Sequence, residues 1–234
     1  MTTQNRSDSY NGDMSRRVEM HTAAMDWQAS PSGTVWRKRL HRVGPAESGQ
    51  VTSIVRYDKS SKFPAHPHPD GEEILVLEGV FSDEHGNWPA GTYLLHPEGF
   101  THAPFSEQGC ILFVKLRQYS GEGRSYVTVD TNAMAWEQSV VQGIEQKTLY
   151  RDPNFQDSTE LERWAAGVDV GTLSYAGGVE IFVLQGEIED ERGRYQQGAW
   201  LRLPPGDQHR PGSANGCELY IKRDAVASLL SESV

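Results

Sequence analysis

Short runs rich in Val, Ile, Leu and Thr, each closed by Gly, Pro or Asp, recur along this chain and predict strands rather than helices. They fall at residues 52–57, 73–80, 92–96 and 111–116, with a counterpart set in the second half. Asp83-Glu84-His85-Gly86 and Asp190-Glu191-Arg192-Gly193 read as hairpin connections, which makes His85 a surface turn residue. Only residues 225–230 suggest one or two helical turns. The run from Glu72 is apolar on both faces. If Glu72 points to one side, Ile74 and Val76 share that side, whereas Leu75 and Leu77 face the other. Ile181 and Val183 oppose Phe182 and Leu184 in the same way. Such strands need cover twice, so Leu75, Leu77, Phe182 and Leu184 are expected at or near a packed interface.

The pattern repeats. Residues 73–115 align with 180–222 without a gap, and residues 22–27 align with 131–136 after one short loop difference. Glu73-Ile74 meets Glu180-Ile181, Gly79 meets Gly186, Pro97 meets Pro204, His102 meets His209 and Gly109-Cys110 meets Gly216-Cys217. The chain has 234 residues, 37% of them apolar, enough for two modest cores. The expected organisation is a polar mobile tail over residues 1–16, a first unit over 17–124, a second over 125–224 and a C-terminal tail over 225–234.

Chemistry concentrates in the first unit. His66-Pro67-His68-Pro69-Asp70-Gly71-Glu72 puts two imidazoles at alternate positions of an extended segment, facing one side, with Glu72 opening the next strand. His102 arrives after the turn at Pro97-Glu98-Gly99. Three imidazoles and one carboxylate suit a borderline divalent ion. His66, His68, Glu72 and His102 are therefore the candidate ligands for one metal per chain. Zinc is the first choice, with iron, manganese or nickel as alternatives. The second unit offers a control: Leu173, Tyr175 and Val179 replace His66, His68 and Glu72, and only His209 survives. One imidazole does not hold a divalent ion, so that unit is read as metal-free, with His209 bonded to the Tyr175 hydroxyl. An organic ligand around Tyr175, Trp200 and His209 is the other use of such a pocket.

His66-x-His68-x-x-x-Glu72, six residues to Gly79, and then Gly91, five residues, Pro97-x-Gly99 and two residues to His102 resemble both halves of the cupin signature. Residues 72–86 are similar to the ChrR-type branch, in which a zinc-binding cupin forms the C-terminal half of an anti-sigma factor. The resemblance implies an all-β bicupin: two tandem cupin (double-stranded β-helix, or jelly-roll) barrels related by duplication. It also implies that the four residues above are the ligands. Ser60 stands where the cupin pattern opens with Gly.

A net charge of −10 argues against a nucleic-acid surface. The basic run Arg37-Lys38-Arg39-Leu40-His41-Arg42 is more cheaply explained as a solvated strand face or a salt-bridged subunit contact. No apolar run reaches membrane length and the polar start is no signal peptide, so cytoplasm is the expected location. Cys110 and Cys217 follow Gly at equivalent strand starts and read as small buried residues rather than a redox pair.

Two functions are compatible with this site. The resemblance favours a regulatory zinc cupin that senses an oxidant or small molecule and signals to a protein partner. It would lack the helical sigma-binding half, which this chain does not contain. The alternative is a metal-dependent dioxygenase or isomerase acting on a small carbonyl or acidic compound, with Phe63, Phe81, Tyr93 and Phe100 as candidate pocket walls. A scaffold whose metal merely ties strands together is a third reading. Monomer and homodimer are both open.

Overall fold

A computed structural model describes residues 9–231 and shows an almost wholly β protein. The long strands are numbered in chain order: β1 (Val18–His21), β2 (Val35–Val43), β3 (Gln50–Tyr57), β4 (Glu72–Asp83), β5 (Thr92–His96), β6 (Cys110–Leu116) and β7 (Val127–Asp130). The counterparts are β8 (Ile144–Arg151), β9 (Ser158–Trp164), β10 (Val179–Asp190), β11 (Ala199–Leu203) and β12 (Cys217–Arg223), and a helix α1 (Val226–Ser231) follows.

In the first barrel the main sheet runs β7-β5-β4-β6-β3-β2, all antiparallel neighbours, and a two-stranded ladder pairs His66–Pro67 with Thr101–His102. The second repeats this as β1-β11-β10-β12-β9-β8. The strands are long because β-branched and large apolar residues fill both faces. Gly79 and Gly186 stand at matching bends. Both have positive φ, and a Cβ at Gly79 would lie 2.1 Å from the Gly109 carbonyl oxygen. Only glycine allows that approach, which accompanies the register shift between Ile111 and Leu112.

Edge strands are exchanged relative to the repeat. Among the described residues, the compact units are 9–12 with 26–133, and 13–25 with 134–231. β7 lies past the repeat boundary near residue 124 yet closes the first unit on β5, whereas β1 pairs with β11 of the second. A duplication boundary and a folding unit therefore differ here by one strand. Residues 1–8 of the tail lie outside the described residues. From Tyr10, which pairs with Arg42, the chain is held, and Met14 is buried against Val226 and Leu229 of α1.

The first core contains Val35, Val55, Ile74, Val76, Phe81, Leu94 and Leu112. The second contains Ile144, Val179, Ile181, Val183, Leu201 and Leu219. Ile74 and Val76 thus face inward with Glu72, as alternation requires. On the outer faces Leu75 and Phe182 are buried, and Leu77 and Leu184 half-buried. Cys110 and Cys217 are buried free thiols. Among the described residues no helix is long and apolar enough to cross a membrane.

Candidate metal centre

Register brings the four predicted residues together. His66 lies opposite His102 in their short ladder, and Glu72 lies opposite His96 across β4 and β5. Asp70 and Gly71, both at positive φ, turn the chain from His68 into Glu72. A Cβ at Gly71 would fall 2.8 Å from the His96 carbonyl oxygen, so glycine lets this turn close onto β5.

The side chains gather around His102 in two overlapping groups, His66 with His68 and Glu72 with His96. His68 Nε2 lies 2.9 Å from His102 Nε2, and each is 3.5 Å from Glu72 Oε2. The His66 ring centroid is 4.7 Å from that of His68 and 5.5 Å from that of His102. Donors sharing an ion at about 2.0–2.2 Å lie about 2.8–3.6 Å apart at ordinary bond angles, so the spacing of His68, His102 and Glu72 fits a divalent cation. Tautomers fit as well. His66 Nδ1–H donates to the Pro64 carbonyl (2.8 Å) and His102 Nδ1–H to Asp83 Oδ2 (3.1 Å), leaving both Nε2 lone pairs for the ion. Burial pushes His68 down to about 4, so it is a neutral imidazole at pH 7. Burial opposes ionisation of Glu72, but His68 and the His96 N–H hold it down to about 2. Burial would likewise lower His102, but its bond to Asp83 together with the charges of Glu72 and Asp83 outweighs this and raises it.

Two residues here were not among the predicted ligands. His96 is fully buried, its Nδ1 is 3.0 Å from Glu72 Oε2, and its Nε2 has no hydrogen-bond partner. Phe100 stacks on its ring at 4.1 Å between centroids and Tyr126 at 5.5 Å. The repeat carries its signal: His96 becomes Leu203, changing together with the ligands. Asp83 was placed in a hairpin turn, but its side chain reaches back to His102 while accepting the His85 and Gly86 amides. Its counterpart Asp190 makes the same bond to His209, at 3.3 Å.

The candidate walls divide. Phe63 and Phe81 line a cavity of about 80 Å³ that also exposes His66, His68, Glu72 and His102. Tyr93 does not line it. It sits opposite Leu75 on the outer face, and its hydroxyl donates to Glu73 at 2.7 Å. Trp200 repeats this with Glu180 at 3.1 Å, so it does not face the second interior either. In that interior the Tyr175 hydroxyl meets His209 Nε2 at 3.3 Å, as expected. His85 is exposed in its turn.

The basic run needs correction. Val35 faces the core, so alternation sends Arg37 and Arg39 inward too, and both are mostly buried rather than on a solvated face. Lys38 lies over the Trp27 ring at 4.7 Å, and His41 is buried between the Asn11 carbonyl and Gln50. A basic run on a strand alternates sides, and neither side is free.

A ligand cluster of this composition, in a barrel of this topology, agrees with direct comparison. The profile of the family described as ChrR Cupin-like domain matches residues 15–120 and again 124–227. The chain belongs to that family. No curated protein matches it by sequence. Among solved structures it is similar to a candidate dioxygenase from Nostoc punctiforme (14% identity, TM-score 0.74, covering 94% of this chain and 89% of that one). It is also similar to protein YlbA of Escherichia coli (12%, 0.69, 91% and 93%). The Escherichia coli pirin YhhW, solved with nickel(II), is a further neighbour (15%, 0.64, 89% and 98%). At these identities the likeness shows the bicupin fold. Within this ChrR-like cupin, the described residues able to hold a metal are His66, His68 and His102, and Glu72, His96 and His102, all in the first barrel.

Proposed function

We propose that this bicupin uses a divalent ion at His66, His68, Glu72 and His102 to act on a small carbonyl or acidic compound admitted to the first barrel, as a dioxygenase or isomerase. The observation that carries this reading is the cavity. Its imidazoles and carboxylate form one wall of a space that continues between Val55, Ile74, Leu112 and Val114 to Arg37. A purely structural metal needs no such space. A bound ion would supply Lewis-acid polarisation or, if iron or manganese, electron transfer. The chain's own residues do the rest. Glu72 stays ionised through the His96 N–H, Asp83 fixes the His102 tautomer, and Phe63 and Phe81 exclude water from the reacting end.

A second reading, zinc-based sensing with a protein partner, rests on the resemblance of residues 72–86 to the zinc-binding cupin of an anti-sigma factor. We propose a cytoplasmic location for either reading, with which the free thiols of Cys110 and Cys217 are compatible. Plasma mass spectrometry with X-ray absorption at the metal edge separates them. Five- or six-coordinate iron, manganese or nickel, with oxygen uptake or isomerisation on diketones and small oxo acids, supports the enzyme. Four-coordinate zinc without turnover overturns it in favour of the sensor.

A further inference from the structure

We infer that Arg37 and Arg39 form a carboxylate-binding subsite inside the first barrel, which Glu47 fills as an internal stand-in until the carboxylate of a small acid displaces it. This deepens the enzymatic reading by naming its substrate class: short acids whose carboxylate lies at the arginines and whose other end faces the imidazoles.

The argument begins with direction. Val35, Arg37 and Arg39 share the inward face of β2, with Arg37 opposite Val55 and Arg39 opposite Ser53. Arg37 lines the cavity that holds the metal residues. It also lines an adjoining space of about 40 Å³ with Arg39, Ala46 and Glu47, and Val55, Val114 and Leu116 are common to both. The imidazoles and the two guanidinium groups thus lie on either side of a shared wall of Val55, Val114 and Leu116, with Arg37 reaching both spaces.

Charge supplies the second step. Arg37 Nη1 lies 2.7 Å from both Glu47 oxygens, and Arg39 Nη2 lies 3.2 Å from one. The remaining Arg39 contacts are neutral, to Gln28 and the Ala46 carbonyl, and its buried Nε has no hydrogen-bond partner. Two cations thus share one carboxylate, which comes from the Gly44–Gly49 connection and is itself 42% exposed. Burial, and then the Arg37 charge, lower the Arg39 pKa, as expected of a guanidinium short of anions. Guanidinium groups so placed hold carboxylates through paired, charge-assisted bonds.

The second barrel is the internal control. By the same register Gln146 and Thr148 replace Arg37 and Arg39, opposite Glu162 and Glu160. Its one inward cation nearby, Arg223, replaces Leu116 and is neutralised by Glu160 and Glu162. Among the described residues, this register thus places an unbalanced inward cation pair in the barrel that carries the metal residues and not in the other.

Calorimetric titration of the full-length protein in low-chloride buffer tests this, with isobutyrate as probe and isobutyramide as its neutral isostere. Isobutyrate should bind at least about ten-fold more tightly. Arg37→Gln, the side chain found at position 146, should abolish that preference while metal content stays unchanged. Glu47→Gln, in an exposed connection, should tighten isobutyrate about ten-fold and lower the ligand-free melting temperature, with isobutyrate restoring it. Equal affinity for acid and amide, no binding of either, or an unchanged preference in Arg37→Gln would each overturn the subsite. Metal bound without anion preference sinks this inference alone. Anion preference without bound metal leaves the subsite standing and sinks the metal-dependent reading.

Discussion

His96 is the strongest place to perturb the centre, because it touches Glu72 and not the cavity. Its Nδ1–H donates to Glu72 at 3.0 Å, a bond to a charged acceptor in a site closed to water. Such bonds contribute about 1.5–3 kcal/mol. His96→Leu copies the second barrel, where Leu203 is fully buried, so packing against Phe100 is largely kept and the loss is mainly electrostatic. If His96 positions Glu72, metal affinity should fall about ten- to a hundred-fold, since 1.4 kcal/mol is a factor of ten. Stoichiometry at saturation should stay at one ion per chain. Competition against a chromophoric chelator measures the affinity, and plasma mass spectrometry the stoichiometry. His96→Gln, which keeps an N–H donor, should recover part of the affinity. A change below two-fold would refute the positioning role. Loss of the metal as complete as in His102→Ala would make His96 a ligand instead.

Replacing His66, His68 and Glu72 by their counterparts Leu, Tyr and Val should abolish metal binding with the barrel still folded. Retained stoichiometric metal would move the site elsewhere. The metal-free protein should lose stability as pH falls from 6.5 toward 4. His68 takes up its proton at the ordinary value when unfolded but only near 4 when folded, so between these the unfolded chain binds more protons. The contribution is roughly 3 kcal/mol at full development. The stabilisation from the raised His102 develops above 6.5 as pH falls and stays nearly constant in this window, so His68→Gln should flatten the slope of denaturation midpoints against pH. Ser60 occupies left-handed backbone at φ +58°, where the cupin pattern carries Gly, so Ser60→Gly should stabilise by about 0.5–1 kcal/mol in urea melts. A lower midpoint would show that its exposed contact with Glu107 matters more than the strain.

Local pattern determined the fold class, the duplication and the four converging residues, because each depends on spacing along the chain. Alternation points Glu72, Ile74 and Val76 to one side, and the turn at Asp70-Gly71 delivers Glu72 beside His68. The same alternation, applied to β2, would have turned Arg37 and Arg39 inward, but a basic run suggests solvent until the neighbouring strand is known. Tertiary structure decided what depends on register between distant strands: His96 opposite Glu72, Asp83 reaching His102, and Tyr93 and Trp200 bonded to Glu73 and Glu180 on the far face. It also decided which unit each edge strand completes, since β1 and β7 are equivalent in the repeat but close different barrels. A side chain's direction is a local property of the strand, whereas its partner is set by how strands pair, and that pairing is fixed only when the whole sheet buries its apolar face.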